Sequence, residues 1–491
     1  MPIANPGALL ERLLREPNES SWLEFKHNNN SPETIGEWVS ACANAAILAG
    51  KERAFLVFGI ENRTKKKLGT SVRLAEMKKG GENFSNWLSR MVEPRLMMEF
   101  LDFEHEAKHF SIITIEPTYD RPVAFGGTEY MRVGENVKKL REFPEHERAV
   151  WLATARRKFE DAVAAAHLSA GEVLAKLNAE TYYELSREKK PEAEEETLRC
   201  FVARGFIRED MEGGYDITNL GAILFAKNVA DFPSIATKSA RVIKYAGTDK
   251  RQSTDEAEGT MGYAVGFRNM LRFITKSLPT VEKYKEGVRI REPVFPATAI
   301  REVVANALIH QDLSITGTGP VIELYADRIE VTNPGNSLIE VDRIIDERRS
   351  RNEKLASAMR NLGLCEERGG GLDKAIIEIE EKSLPAPEFN SSERSMRVVL
   401  FGPRPFNQLS KADKLRACFF HCVLRWLKND YMNNTTLRER FSLEQEEYQA
   451  VSAIISESVK RKRIIPADPN QGNRNARYIP YWVRKSPGAG V

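Results

Sequence analysis

Residues 301–312, REVVANALIHQD, are followed by ELYADRIEVTNPGN at 323–336, SRNEKLA at 350–356 and EERGGGLDK at 366–374. The order of these four pieces decides how the second half of the chain folds. REVVANALIH has apolar residues at helical spacing, which places Glu302 and Asn306 one turn apart on one face. An amide oxygen there can hold Mg²⁺ while the carboxylate orients or deprotonates a water. VIELY and RIEVT are β-rich runs joined at Ala326-Asp327, and they deliver Asn333-Pro334-Gly335 to a turn past the second strand, where a short polar side chain beside a glycine can read a base edge. Gly369, Gly370 and Gly371 precede the apolar run LDKAIIEI, so backbone N–H groups at a helix start can receive phosphate oxygens. Any one piece alone reads as structural; the four in this order read as an ATP site without a P-loop.

The same parts in the same order resemble the GHKL ATPases, the superfamily of gyrase B subunits, MutL and histidine kinases, and within it a branch of transcriptional-regulator or helicase-like ATP-binding proteins. The resemblance implies an α/β sandwich in which Glu302 is the water-activating base, Asn306 the Mg²⁺ ligand, Asn333 the adenine reader beside Gly335, and Gly369, Gly370 and Gly371 the phosphate lid. Two positions depart from the pattern. Asn333 stands where many members have Asp, although this branch commonly carries an NPG turn, and His310-Gln311-Asp312 replaces His-Arg-Asp.

At 491 residues the chain exceeds one core, and domain size predicts roughly three or four domains. No apolar run reaches membrane-span length, and MPIANPGALLERLL lacks a basic region followed by a signal core, so a soluble cytoplasmic protein with no membrane partner is expected. The five cysteines are odd in number and scattered, which argues against a disulfide framework. Cys418, His421 and Cys422 have no second ligand pair, and CFFHCVLRWL reads as a buried helix face rather than a metal site. The net charge of +3 is unevenly spread: from Arg404 onward there are 16 Lys and Arg against 8 Asp and Glu. A basic C-terminal piece is what a nucleic-acid contact surface requires.

Residues 1–145 alternate strand-like and helix-like runs and read as a small α/β domain. Glu24 and Lys26 share one face of a short strand that Trp22 joins, Glu19 precedes it, and Glu61 follows the apolar strand AFLVFGI. Three converging carboxylates could bind a divalent metal, Mg²⁺ or Mn²⁺, and activate water for phosphodiester cleavage; Glu24 with Lys26 reads equally as a surface ion pair. The pattern E-x4-E-F-K, then ANA, FGIEN and YMRVGEN, resembles the Schlafen AlbA-type nucleic-acid-binding domain. In Schlafen nucleases two Glu residues spaced by five and a downstream Asp form the active site. The resemblance places Glu19, Glu24 and Glu61 at those positions, with Glu in place of Asp at the third.

Residues 146–285 read as a connector and scaffold. EHERAVWLATARRKFEDAVAAAHL is expected to be one charged helix, PEAEEET a solvated helix start, and the ribbon around GFIREDMEGGYDIT after two short helices either a winged helix or, given its weakly basic face, a scaffold. The ATP-binding domain is assigned to 286–403, and Pro403-Arg404-Pro405 marks a boundary. Residues 404–491 read as three helices and a ribbon, the second helix capped by Thr435 or Thr436. This is the pattern of a winged helix-turn-helix, with Lys460, Arg461, Lys462 and Arg463 ending the third helix, Arg474 and Arg477 on the wing, and KSPGAGV a loose tail. A basic helix end also suits the macrodipole whatever its function.

These readings converge on an ATP-controlled effector that binds RNA or DNA and cuts it, with a role in antiphage defence implied by the resemblance. The rivals are an ATP-sensing DNA-binding transcriptional regulator without nuclease activity and a chaperone-like ATPase clamp. Self-pairing of nucleotide-bound forms would make a homo-oligomer, with a further protein partner left open.

Overall fold

The apolar runs AFLVF and FSIITI become the buried centre of a four-stranded sheet. In order its strands are Leu23–Lys26, Ala54–Phe58, Lys108–Glu116 and Met97–His105, the first pair parallel and the others antiparallel. A parallel pair needs a crossover, and the helix Pro32–Ala49 supplies it, opened by the Ser31 side chain and closed by Gly50 at φ 64°. The helix is buried on most sides because it packs on this sheet and on a second, smaller one that includes Ala124–Phe125 and Thr128–Val133. Asn44 fixes it there: Nδ2 donates to the Val123 and Tyr130 carbonyls, both at 2.8 Å, and Oδ1 accepts from Val123 N–H at 2.7 Å. The Asn of the ANA motif is therefore a fully satisfied core amide.

The computed structural model describes residues 3, 5–16, 20–29, 31–118, 121–134, 136–156, 158–210, 213–285, 288–347, 349–366, 370–472 and 476–485. The chain divides into two units, Met1–Lys158 with Glu209–Gly214, and Phe159–Arg208 with Tyr215–Val491. Glu19, Gly369, Arg474 and the tail from 486 fall outside the described residues. Among the described residues no helix is long and apolar enough to cross a membrane.

The expected connector helix at 145–168 is two elements. A helix runs Pro144–Arg156, and Val163–Leu168 is a strand at the edge of a three-stranded sheet. Alanine favours helix, yet pairing of Val163 with Thr218 and Ala165 with Ile217 overrides that weak local preference. The helices Ala170–Lys176, Ala179–Ser186 and Glu194–Ala203 accompany this sheet, the last opening on Glu194, Glu195 and Glu196. An acidic first turn complements the helix dipole and repels phosphate, which favours the scaffold reading.

The principal sheet of the second unit has six strands in the order Ser253–Glu258, Arg241–Tyr245, Val321–Leu324, Arg328–Pro334, Ser395–Phe401, Glu388–Ser391. Only Arg241–Tyr245 and Val321–Leu324 run parallel. Two of these strands precede residue 286, so the boundary placed there by sequence cuts through the sheet. Val242, Ile322, Leu324, Ile329, Val331 and Leu400 share a core with the helices Tyr263–Ser277, Ala297–His310 and Gly371–Glu381. Glu323 and Glu330 sit opposite each other in the ladder, a repulsive pairing that Lys250 at 2.6 Å from Glu323 and Arg328 at 2.6 Å from Glu330 neutralise.

After residue 404 come the helices Lys411–Leu427, Asn434–Arg440 and Tyr448–Lys460 and a ribbon of Ile464–Pro466 with Tyr478–Pro480. The second helix is capped by Asn433, not by Thr435 or Thr436: its side chain accepts from Thr436 N–H at 2.9 Å while the Thr436 hydroxyl accepts from Asn433 N–H at 3.2 Å. Cys418, His421 and Cys422 are on the buried face of the first helix; burial pushes the Cys418 thiol up to about 12, and His421 Nδ1 lies 3.0 Å from Glu380 Oε2. Ile345, Phe389 and Met396 share one apolar cluster with Leu415, Phe419, Phe420 and Trp482.

Candidate nucleotide cavity

A helix that buries most of its surface can aim polar side chains only at an opening in the packing. Ala297–His310 is such a helix, and Glu302, Asn306 and His310, four residues apart in turn, all line one cavity of about 290 Å³. Asn333 reaches the same cavity from the strand Arg328–Pro334, and Gly371 from the start of the following helix. Three separated segments thus bring Glu302, Asn306, His310, Asn333 and Gly371 to one cavity. Ile339, Ile344, Ile345, Phe389, Met396 and Val398 supply an apolar wall that would suit the faces of a purine ring. The sequence had not singled out any of them, because they come from a loop and a strand pair with no polar signature.

Glu302 is 2% exposed and paired through Oε1 with Arg301 Nη2 at 2.6 Å. Its other oxygen lies against the start of the helix Gly371–Glu381, where a Cβ on Gly371 would fall 2.0 Å from Oε2. Only glycine fits there. Asn333 is in the strand, paired with Met396, rather than past it, and its Nδ2 donates to the Pro334 carbonyl at 3.3 Å. Gly335 follows at φ 92°, a conformation that glycine adopts freely, with Arg351 packed against it. Gly370 is the N-cap residue. Burial, then Arg351 and Arg360, push His310 down to about 4, and burial raises Cys365 to about 11.

The N-terminal carboxylates are arranged differently. Glu24 is 3% exposed and ion-paired with Lys26 and with Arg132 Nη1 at 2.7 Å. Arg132 also donates to the Leu23 carbonyl at 3.1 Å, and Lys26 Nζ lies 4.8 Å from the Trp38 ring. Trp22 is buried just before the strand. Glu61 is exposed and bonded to the Thr64 hydroxyl. Among the described residues Glu24 and Glu61 are not part of any three-donor cluster with metal-ligand spacing. Arg132 lies 108 positions from Glu24, beyond any local pattern.

Of the C-terminal basic residues, Lys460, Arg461, Lys462 and Arg477 are exposed. Arg461 pairs with Glu457 at 2.9 Å, and Arg477 stacks 5.5 Å from the Tyr431 ring. Arg463 is half-buried: it pairs with Asp342 and packs 5.0 Å from the Phe419 ring.

Residues 19–141 match the family described as "Schlafen, AlbA_2". Residues 317–400 match the one described as "Putative ATP-dependent DNA helicase recG C-terminal". The chain joins a Schlafen AlbA segment to an ATPase-type segment. No curated protein matches. Among solved structures, the DIP2311 protein from Corynebacterium diphtheriae is 15% identical over 96% of each chain, with a TM-score of 0.41. The Schlafen AlbA segment contains Glu24, Lys26, Glu61 and Arg132. The ATPase-type segment contains Asn333, Gly335 and the glycine run, while Glu302 and Asn306 precede it and reach the cavity through the fold.

Proposed function

We propose that the chain is an ATP-controlled nucleic-acid effector whose second unit binds Mg·ATP in the cavity of Glu302, Asn306, Asn333 and Gly371. The observation that carries this reading is the convergence of those four residues, from segments spread over residues 302–371, on one cavity with an apolar wall. The residues suit the nucleotide: Asn333 would receive the purine edge, Gly335 permits the turn beside it, and the N–H groups at the helix start near Gly371 would meet a phosphate chain. Asn306 offers an amide oxygen to Mg²⁺, which when bound neutralises phosphate charge. Glu302, one turn away, would take a proton from the attacking water. Lys26 and the exposed Lys460, Arg461, Lys462 and Arg477 are the candidate nucleic-acid contacts, the latter on a winged-helix arrangement.

Binding without cutting is favoured over a Schlafen-type metal-dependent nuclease. Cleavage by Glu19, Glu24 and Glu61 with Mg²⁺ or Mn²⁺, and the defence role that goes with it, would require Glu24 to leave two cations. The full chain should be mixed with tRNA, single-stranded RNA and duplex DNA, with and without ATP, in Mg²⁺ or Mn²⁺. ATP-dependent affinity for one of them without cleavage is expected. Affinity indifferent to ATP would overturn the proposal, and cleavage lost in Glu24→Gln would restore the nuclease reading.

A further inference from the structure

The helix Gly371–Glu381 reaches two places. Its first turn, Gly371 and Leu372, lines the cavity, while Leu372 and Ile376 pack into the apolar cluster of the C-terminal helices. The 11 residues span roughly 16 Å at the rise of an α-helix. One rigid element therefore joins the cavity to the helices Lys411–Leu427 and Asn434–Arg440.

Its last turn is keyed into those helices by charge. Glu380 Oε2 lies 3.0 Å from His421 Nδ1, and Glu380 Oε1 lies 3.4 Å from Arg440 Nε. Arg440 Nη2 donates to the Leu384 carbonyl at 2.6 Å, just past the helix end, and the hydroxyls of Ser383 and Ser442 pair at 2.9 Å. The side chains of Glu380, His421 and Arg440 are 14%, 9% and 3% exposed. Apolar surfaces can slide past one another, but a hydrogen-bonded charge depends steeply on distance and angle, and parting buried charges leaves each uncompensated. A tilt set by the first turn must be followed by the C-terminal helices or break this cluster.

The cluster is only half made. Arg440 Nε and Glu380 Oε1 face each other without a hydrogen bond, and His421 Nε2 is buried with no hydrogen-bond partner among the described residues. Burial outweighs the neighbouring carboxylate and holds the Arg440 guanidinium below its ordinary range. In a low local dielectric a small displacement that completes such a network gains more than the same displacement at a surface.

We propose that Gly371–Glu381 relays occupancy of the nucleotide cavity to the C-terminal helices, with the cluster of Glu380, His421 and Arg440 as the coupling that transmits it. This names the regulation of the nucleotide site and rests on the nucleotide reading. An occupant at the helix start shifts the first turn, and the last turn carries His421 and Arg440 with it. Linkage makes the relay reciprocal: whatever binds the C-terminal helices in their shifted arrangement tightens nucleotide binding by the same factor.

The test is hydrogen exchange of the full chain, read by mass spectrometry with and without saturating ATP and Mg²⁺. The proteins are wild type, Glu380→Gln, His421→Gln and the double variant Glu380→Gln/Arg440→Gln, which removes both buried charges should Glu380→Gln alone unfold. Calorimetry establishes ATP binding in each, and circular dichroism and melting check folding. In wild type, ATP should change protection of residues 371–381 and of 411–440 by about fivefold or more, the low end of ordinary coupling. In the variants the response at 371–381 should persist while that at 411–440 falls below about twofold. Folded variants that keep the wild-type response at 411–440 would overturn the relay. So would a wild type that binds ATP without a response there. A wild type that binds no ATP overturns the nucleotide reading and the relay with it.

Discussion

Gly371→Ala tests the core of the cavity, because two effects of opposite sign meet there. The first helical position accepts alanine, which exceeds glycine in helix propensity by up to about 1 kcal/mol, largely because it stiffens the unfolded chain. Against this, the added Cβ would lie 2.0 Å from Glu302 Oε2 and 2.6 Å from its Cδ, where ordinary contact begins at 3.4 Å. Glu302 is 2% exposed and held by Arg301 at 2.6 Å, so moving it aside disturbs that pair and the clash falls in the overpacking range of about 1–3 kcal/mol. The clash wins, for a net loss of roughly 1–2 kcal/mol. In a Glu302→Ala background the obstacle is gone and the same substitution should stabilise by up to about 1 kcal/mol. The coupling falls in the range of roughly 0.5–3 kcal/mol typical of residues in contact. Native-state hydrogen exchange of residues 371–381, followed by mass spectrometry in all four proteins, reads this locally; one tenfold change in protection is about 1.4 kcal/mol. Greater protection in Gly371→Ala than in wild type, or additive effects, would refute the contact.

Asn306→Ala should weaken Mg·ATP binding while Glu302→Ala spares binding and removes turnover, since ligand and base roles separate; calorimetry and phosphate release distinguish them, and wild-type turnover in Glu302→Ala would reject the base. Glu24→Ala removes one buried partner of Arg132, 7% exposed in its side chain, and should cost about 1–3 kcal/mol, whereas Glu61→Ala should stay within about 0.5 kcal/mol; chemical denaturation of both is the check. Reversing Lys460, Arg461 and Lys462 should weaken duplex DNA binding and lower the salt slope by about 0.9 per lost phosphate contact, while Arg463→Glu should chiefly destabilise the fold through Asp342 and Phe419. His310 titrates at about 4 when folded against 6.5 otherwise, so the unfolded chain binds the extra proton first. Its contribution to stability is complete above pH 6.5 and drains away as pH falls toward 4, and His310→Gln should flatten that limb in denaturation measured at pH 5 and 7.

The hairpin Val321–Leu324 with Arg328–Pro334 was legible because β-rich runs flank Ala326-Asp327, and the helix Ala297–His310 because its apolar spacing is regular. The strand Val163–Leu168 was not, since alanine runs favour helix until a partner strand is present. Glu24 and Lys26 were placed correctly on one strand, but Arg132, which changes what Glu24 can do, arrives from a strand far along the chain. Arg463 likewise looked like its basic neighbours until Asp342, 121 positions away, claimed it. Short-range pattern specifies elements and the residues they carry; which charges are already neutralised depends on contacts between distant segments.

Phe389 and Met396 line the candidate nucleotide cavity and also belong to the interior of the C-terminal helices, where Phe389 meets the Phe420 ring at 5.8 Å. Pieces that descend and recombine independently keep separate interiors. Here one interior serves residues 388–398 and 411–482, so a lineage that discarded the C-terminal helices would open the cavity wall to water. A volume change at Leu415 or Phe420 would therefore be felt at Phe389 and Met396 in the cavity wall, although neither of the former lines the cavity.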